Sequence, residues 1–176
     1  MKKSILTTQD AFTFLLQGMY FIEARLMEEL GSCTGQITST ALKDEVKRYR
    51  ESAHYKQLKL ERIFSYLMND TNARKIEVID KLMEETHKML DSVHSGHLRD
   101  ILMIGCIQNV NAYKTASYRT AYLLAVELEL DTVADLLQQI LEWEVETGRT
   151  LTSIASHEFC RLTGDTKPKN NAWTTH

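Results

Sequence analysis

Proline is almost missing from this chain. There is one, Pro168, in the last stretch, and glycine is held to seven residues. With so little to interrupt a helix, and with most of the chain written at helical period, the fold class reads as all-α. Cysteine is scarce as well. Cys33, Cys106 and Cys160 lie far apart and show no CxxC spacing, which fits packing roles in a reducing compartment better than a disulfide framework. No apolar run approaches the roughly 18 residues of a membrane span. The start, MKKSILTTQDAF, lacks the apolar core and small-residue cleavage site of a signal peptide. These absences place the expected location in the cytoplasm, with no membrane partner. Excess charge is lacking too: a formal net charge of −3 with interspersed signs leaves no basic stripe, and no nucleic-acid partner is expected.

What is present is a set of long amphipathic periods. The 176 residues suffice for one domain with a sizeable core and no metal or disulfide staple. The first helix is predicted over residues 8–30, opened by a Thr7/Asp10 capping box and stopped by Gly31. A polar link leads to a second helix over 39–68, and a turn at 69–72 to a shorter one over 73–93. His94-Ser95-Gly96-His97 reads as a helix stop at Gly96 and a solvated turn. A fourth helix is predicted over 98–128, in which Gly105 marks a close helix crossing. The last runs from Asp131 or Thr132 to Leu162. Residues 1–164 form a single domain in this reading, and 165–176 a loose polar tail.

Three stripes carry polar residues where a core belongs. On the fourth helix, Ile104, Ile107, Asn111, Lys114, Tyr118, Tyr122 and Ala125 share a face. Burying the amine of Lys114 there is costly unless carboxylates meet it. Two are offered: Glu23 lies mid-stripe on the first helix between Met19 and Leu26, and Glu144 on the last between Ile140 and Leu151. Carboxylates within about 4–6 Å of an ammonium keep all the groups ionised. Glu23, Asn111, Lys114 and Glu144 are therefore predicted to form a buried polar network. The second helix adds Glu51 and His54, an ExxH pair whose spacing suits one metal ion. Its stripe, read as Leu42, Val46, Tyr49, Ala53, Leu60, Ile63, Phe64 and Leu67, turns Glu51 away from the core.

Four long helices with a short one in the connection between the second and fourth suit a ferritin-like four-helix bundle with one long crossover. The chain also resembles the YciE/YciF-type branch of the ferritin-like superfamily, bacterial stress-associated proteins, over about residues 8–157. The resemblance is carried by Tyr20-Phe21-Ile22-Glu23-Ala24-Arg25-Leu26, Leu60-Glu61-Arg62-Ile63-Phe64, Leu98-Arg99-Asp100, Val110 through Tyr118, and Leu136-Leu137 through Glu144 to Leu151. It implies a di-metal centre, and the chain departs from it there. Asn111-Ala112-Tyr113-Lys114 stands where the family has Glu-His-Tyr-Glu, Gly148 where it has an aspartate, and Tyr49 and Ala53 where it has a histidine and a threonine.

A di-iron site wants about four carboxylates and one or two imidazoles, and Lys114 brings a positive charge to the metal position. The favoured expectation is a degenerate di-metal site with no cofactor and no catalytic residues, in a non-enzymatic, stress-associated structural or interaction protein. The alternative is a redox protein that binds iron or manganese through Glu23, Glu51, His54 and Glu144. Apolar residues off the main stripes, Phe14, Phe21 and Ile22 on the first helix and Tyr55 and Leu58 on the second, lead us to expect a homodimer.

Overall fold

Five α-helices make up the computed structural model, which describes residues 5–163. They are α1 (Thr8–Cys33), α2 (Thr40–Tyr66), α3 (Glu77–Asp91), α4 (Gly96–Glu127) and α5 (Asp131–Thr163), with one 3₁₀ turn at Thr34–Gln36 between α1 and α2. The fold is all-α and ferritin-like. The predicted tail at 165–176 lies outside the described residues. The capping box at the start of α1 is present, with Asp10 N donating to Thr7 Oγ1 at 3.0 Å and Thr7 N to Asp10 Oδ2 at 3.1 Å.

The helices pack as two hairpins, α1 on α2 and α4 on α5, which meet along two thinner seams, α1/α4 and α2/α5. The backbone amides of Thr38 and Ser39, at the head of α2, donate to Asp100 in the first turns of α4 at 3.1 and 2.6 Å. The heads of α2 and α4 therefore lie at one end of the bundle and the two helices run parallel. The crossover through α3 makes that possible. On its way α3 closes the α1/α4 seam, where Ile76, Ile79 and Met83 bury Ile22.

Two apolar clusters fill the interior. One joins Phe12, Leu16, Leu60, Phe64, Leu137 and Ile140, and the other Leu26, Leu42, Val46, Met103, Ile104 and Leu151. Between them lies a layer of fully buried polar side chains.

Several local expectations are corrected. The close helix approach is not at Gly105, where an added Cβ meets no heavy atom within 4 Å; it is at Gly148, where that Cβ lies 2.8 Å from Asn111 Oδ1. Gly31 does not stop α1. It lies inside the helix and leaves room for Arg50, whose guanidinium carbon stands 3.2 Å from an added Cβ and whose Nε donates to Met27 O at 3.1 Å. Gly96 begins α4 behind the Ser95 N-cap instead of ending the helix before it. The third helix starts at Glu77 and not at 73, because Arg74 is drawn back onto α1, where its amide donates to Gln17 O at 3.0 Å and its guanidinium lies 3.6 Å over the Phe14 ring. Of the residues expected to leave apolar surface on the first helix, Ile22 is buried by α3 and Phe21 is half-buried against it.

Candidate functional site

The polar layer is built from four helices. α1 contributes Glu23, α2 contributes Tyr49 and Lys56, α4 contributes Asn111, Lys114 and Tyr118, and α5 contributes Glu144; of these only Asn111 exceeds 1% exposure, at 6%. All four residues of the predicted network converge. Lys114 Nζ donates to Glu23 Oε2 at 2.9 Å, lies 2.8 Å from Glu144 Oε1, and reaches Tyr49 OH at 3.3 Å. Asn111 Nδ2 donates to Glu144 Oε2 at 2.8 Å and to its backbone carbonyl at 2.9 Å. Tyr118 OH closes the other side, donating to Glu23 Oε1 at 2.6 Å.

One member was missed by the sequence reading. Lys56 is fully buried, and its ammonium donates to Glu144 Oε1 in a short ion pair. The signal was available: Ala53 and Leu60 stand seven apart on the α2 stripe, and Lys56 occupies the helical position between them. Lys56 Nζ and Lys114 Nζ lie 4.9 and 4.7 Å from the centroid of the Tyr49 ring, so one aromatic face region serves both cations. Tyr49 OH in turn donates to Glu144 Oε2 at 2.9 Å.

The layer is thus two ammoniums against two carboxylates. Burial works against the charge on Lys114, yet Glu144 and Glu23 outweigh it and hold the amine protonated well above the ordinary lysine range. Burial also opposes charge on Glu144, but Lys114 and Lys56 hold its carboxyl down at about 2. Lys56 is the less secure cation: burial and the neighbouring Lys114 lower its pKa, and Glu144 and Glu23 only partly restore it. Burial and the adjacent carboxylates keep both phenols, Tyr49 and Tyr118, neutral donors.

Does this donor set fit a di-metal centre? The Glu144 carboxylate takes four donors, Lys56 and Lys114 on Oε1 and Tyr49 and Asn111 on Oε2. That fills the roughly four lone-pair sites a carboxylate has. Glu23 is engaged by Lys114 and Tyr118. Glu51 and His54 are exposed on the outer face of α2 while Glu23 and Glu144 are buried, so the alternative ligand set is not brought together. Among the described residues no group of three or more His, Cys, Asp or Glu is placed to hold a metal ion. A divalent cation here would have to displace two ammoniums and compete with four hydrogen bonds. The residues do not fit it.

A second polar cluster sits at the bundle end. Asp100, fully buried, accepts from Thr38 N at 3.1 Å, Thr38 Oγ1 at 2.5 Å and Ser39 N at 2.6 Å. Ser39 Oγ donates to Glu158 Oε1 at 2.7 Å, and Glu158 Oε2 lies 3.1 Å from His97 Nδ1. His97, expected in a solvated turn, is therefore half-buried against α5. This cluster ties helix ends together.

Comparison with known proteins gives a consistent set of matches. The family described as Domain of unknown function (DUF892) matches residues 7–161. Protein YciF of Escherichia coli (strain K12) is 29% identical over 153 residues, covering 85% of this chain and 90% of that protein. Among solved structures, that of the Escherichia coli stress protein YciF superposes with a TM-score of 0.84 at 26% identity, covering 88% of this chain and 98% of the other. YcfI of Rhodopseudomonas palustris also gives 0.84, at 22% identity over 87% of this chain and 98% of its own.

Proposed function

This chain belongs to the DUF892 family, and from that premise we propose that it is a metal-free, non-enzymatic member whose polar centre has become structural. In this reading it acts in the cytoplasm as a stress-associated structural or interaction protein. One observation carries the reading: both Lys56 and Lys114 are fully buried and ion-paired to Glu144 at the level where a bundle of this kind would hold cations. Two ammoniums supply positive charge of the kind that metal ions would otherwise bring, so Glu144 stays ionised without metal. The stress role is carried over from the Escherichia coli stress protein YciF, whose structure matches across nearly the whole bundle.

The test is a set of melting curves in oxygen-free buffer, with chelator and with added Fe²⁺ or Mn²⁺. Wild type is expected to gain nothing saturable from metal, and freshly purified protein to contain it substoichiometrically. A triple variant, Lys56→Gln with Asn111→Glu and Lys114→Glu, replaces the cations by ligands. It is expected to melt lower than wild type in chelator, through carboxylate repulsion, and to gain more from metal through linkage. A large, stoichiometric stabilisation of wild type by either metal rejects the proposal in favour of an iron- or manganese-binding redox protein, whether or not the variant folds.

A further inference from the structure

The bundle has two thin seams, and its own chain closes only one. α3 covers α1/α4. The opposite seam, α2/α5, is an open groove of about 370 Å³ whose floor includes Tyr49 and Thr147 and whose rim includes Tyr55 and Trp143. A groove of that size lies within the range of small-ligand sites.

Two hydroxyls that line it are unused. Thr147 is only 8% exposed, yet its side chain makes no hydrogen bond among the described residues. Ser52 Oγ, on α2, is buried and has no partner either. Helical Ser and Thr often return such a bond to the carbonyl four residues back, as Thr150 and Thr152 do on α5. A buried polar group left unpaired at a cavity wall points to a partner from outside the chain.

The charge in the groove is one-sided. Glu45, Glu51 and Glu146 line it against one guanidinium, Arg48, which Glu45 already holds. Burial pushes the Glu45 carboxyl up, Arg48 pulls it back in part, and Glu146 adds to the rise, so the α2 and α5 carboxylates feel one another. Glu51 makes no hydrogen bond or ion pair among the described residues. The Glu146 carboxylate meets only the exposed Arg149, at 3.6 Å, a contact that contributes little. These carboxylates do not converge on a point: among the described residues no group of three or more His, Cys, Asp or Glu is placed to hold a metal ion. Glu45 and Glu51 stand instead about 9 Å apart along the α2 axis. Negative charge spread along a trough with an aromatic rim suits a long cation whose charges are set apart by methylenes.

We infer that the α2/α5 groove binds a linear aliphatic polyamine. Its ammonium N–H groups donate to the Glu51 and Glu146 carboxylates and to the Thr147 and Ser52 hydroxyls, and its methylenes lie on Tyr55 and Trp143. The Trp143 ring is already faced by Lys59 Nζ, 5.1 Å from its centroid, so its part is apolar contact. The site goes beyond the metal-free centre and stands whether or not that centre holds metal.

The experiment is calorimetric titration of the chelator-treated, dialysed protein with spermidine at low salt. One spermidine per chain is expected to bind with a dissociation constant of roughly 10–100 µM. Glu51→Gln with Glu146→Gln should weaken binding about tenfold, and Thr147→Val should weaken it several-fold. Glu127→Gln with Glu129→Gln removes the same charge from exposed positions outside the groove and should leave binding unchanged. Melting curves without ligand are expected to coincide for wild type and the three variants, which separates lost binding from lost folding. The absence of saturable binding overturns the inference. So does equal weakening by the two charge-matched pairs, binding indifferent to Thr147→Val, or Mg²⁺ displacing spermidine at equal concentration, each of which would reduce the effect to bulk charge.

Discussion

Lys56 carries more consequence than its neighbours on α2 because it is one of two cations serving two buried carboxylates. Lys56→Met keeps the length of the stem and removes the charge, leaving Glu23 and Glu144 with Lys114 alone. Breaking a buried ion pair from one side costs about 3–5 kcal/mol, since the remaining charge is uncompensated. Urea denaturation is expected to show a loss of that size, and Lys56→Met combined with Glu144→Gln should recover part of it. A double-variant loss equal to the sum of the losses of Lys56→Met and Glu144→Gln measured singly would mean the pair is not coupled. Two glycines make an opposing pair at the same scale. Gly105 faces open space inside a helix, so Gly105→Ala is expected to stabilise by about 0.5–1 kcal/mol. Gly148→Ala drives a Cβ to within 2.8 Å of Asn111 Oδ1, on a side chain pinned by two hydrogen bonds to Glu144. It is expected to destabilise by about 1–3 kcal/mol. Thermal melts of the two variants should move in opposite directions.

Among the elements, α2 depends on a residue far away in sequence. Ser39 is its N-cap, but the amides of Thr38 and Ser39 that precede the first turn are held by Asp100 from α4. These are hydrogen bonds to a buried charge, each worth roughly 1.5–3 kcal/mol. Asp100→Ala is therefore expected to cost about 2 kcal/mol or more and to raise hydrogen-exchange rates at Thr38, Ser39 and the first turn of α2 before the rest of that helix. Uniform exchange along α2 in the variant would place the effect elsewhere. α3 has a different task. Its strongly amphipathic stretch lays Ile79 and Met83 over Ile22, so it serves as a cover for one seam and adds nothing to the polar layer.

For the molecule as a whole, the central layer sets the response to acid. Glu144 titrates near 2 in the folded protein against 4.5 without the fold, its burial outweighed by Lys114 and Lys56. A depressed carboxyl pKa contributes stability that is present above the unfolded value and is lost as pH falls through the folded one. The loss attributable to this residue therefore falls between about pH 4.5 and 2. Lys114 has the opposite sign: its contribution is complete below 10.5 and lost only as pH rises beyond that. Denaturation free energies measured from pH 6 down to 2 are expected to fall more steeply for wild type than for Glu144→Gln, which is less stable at pH 6 but lacks that titration. Parallel curves would mean that Glu144 is not the group that couples acid to unfolding.

The residues themselves determined that this is a bundle of long helices with a polar interruption, because helical period is a local property. Stripes at three- and four-residue spacing need no neighbours to be recognised, and they placed Glu23, Asn111, Lys114 and Glu144 on inward faces. The tertiary structure alone decided what depends on which helices lie side by side. Lys56 joined the layer because α2 faces α5 across the core. Gly148 and not Gly105 became the close approach because α4 meets α5 there. Ile22 was buried by α3 while Tyr55 and Trp143 were left in solvent. Sequence period tells which way a side chain turns; only the packing of one helix against another tells what it meets.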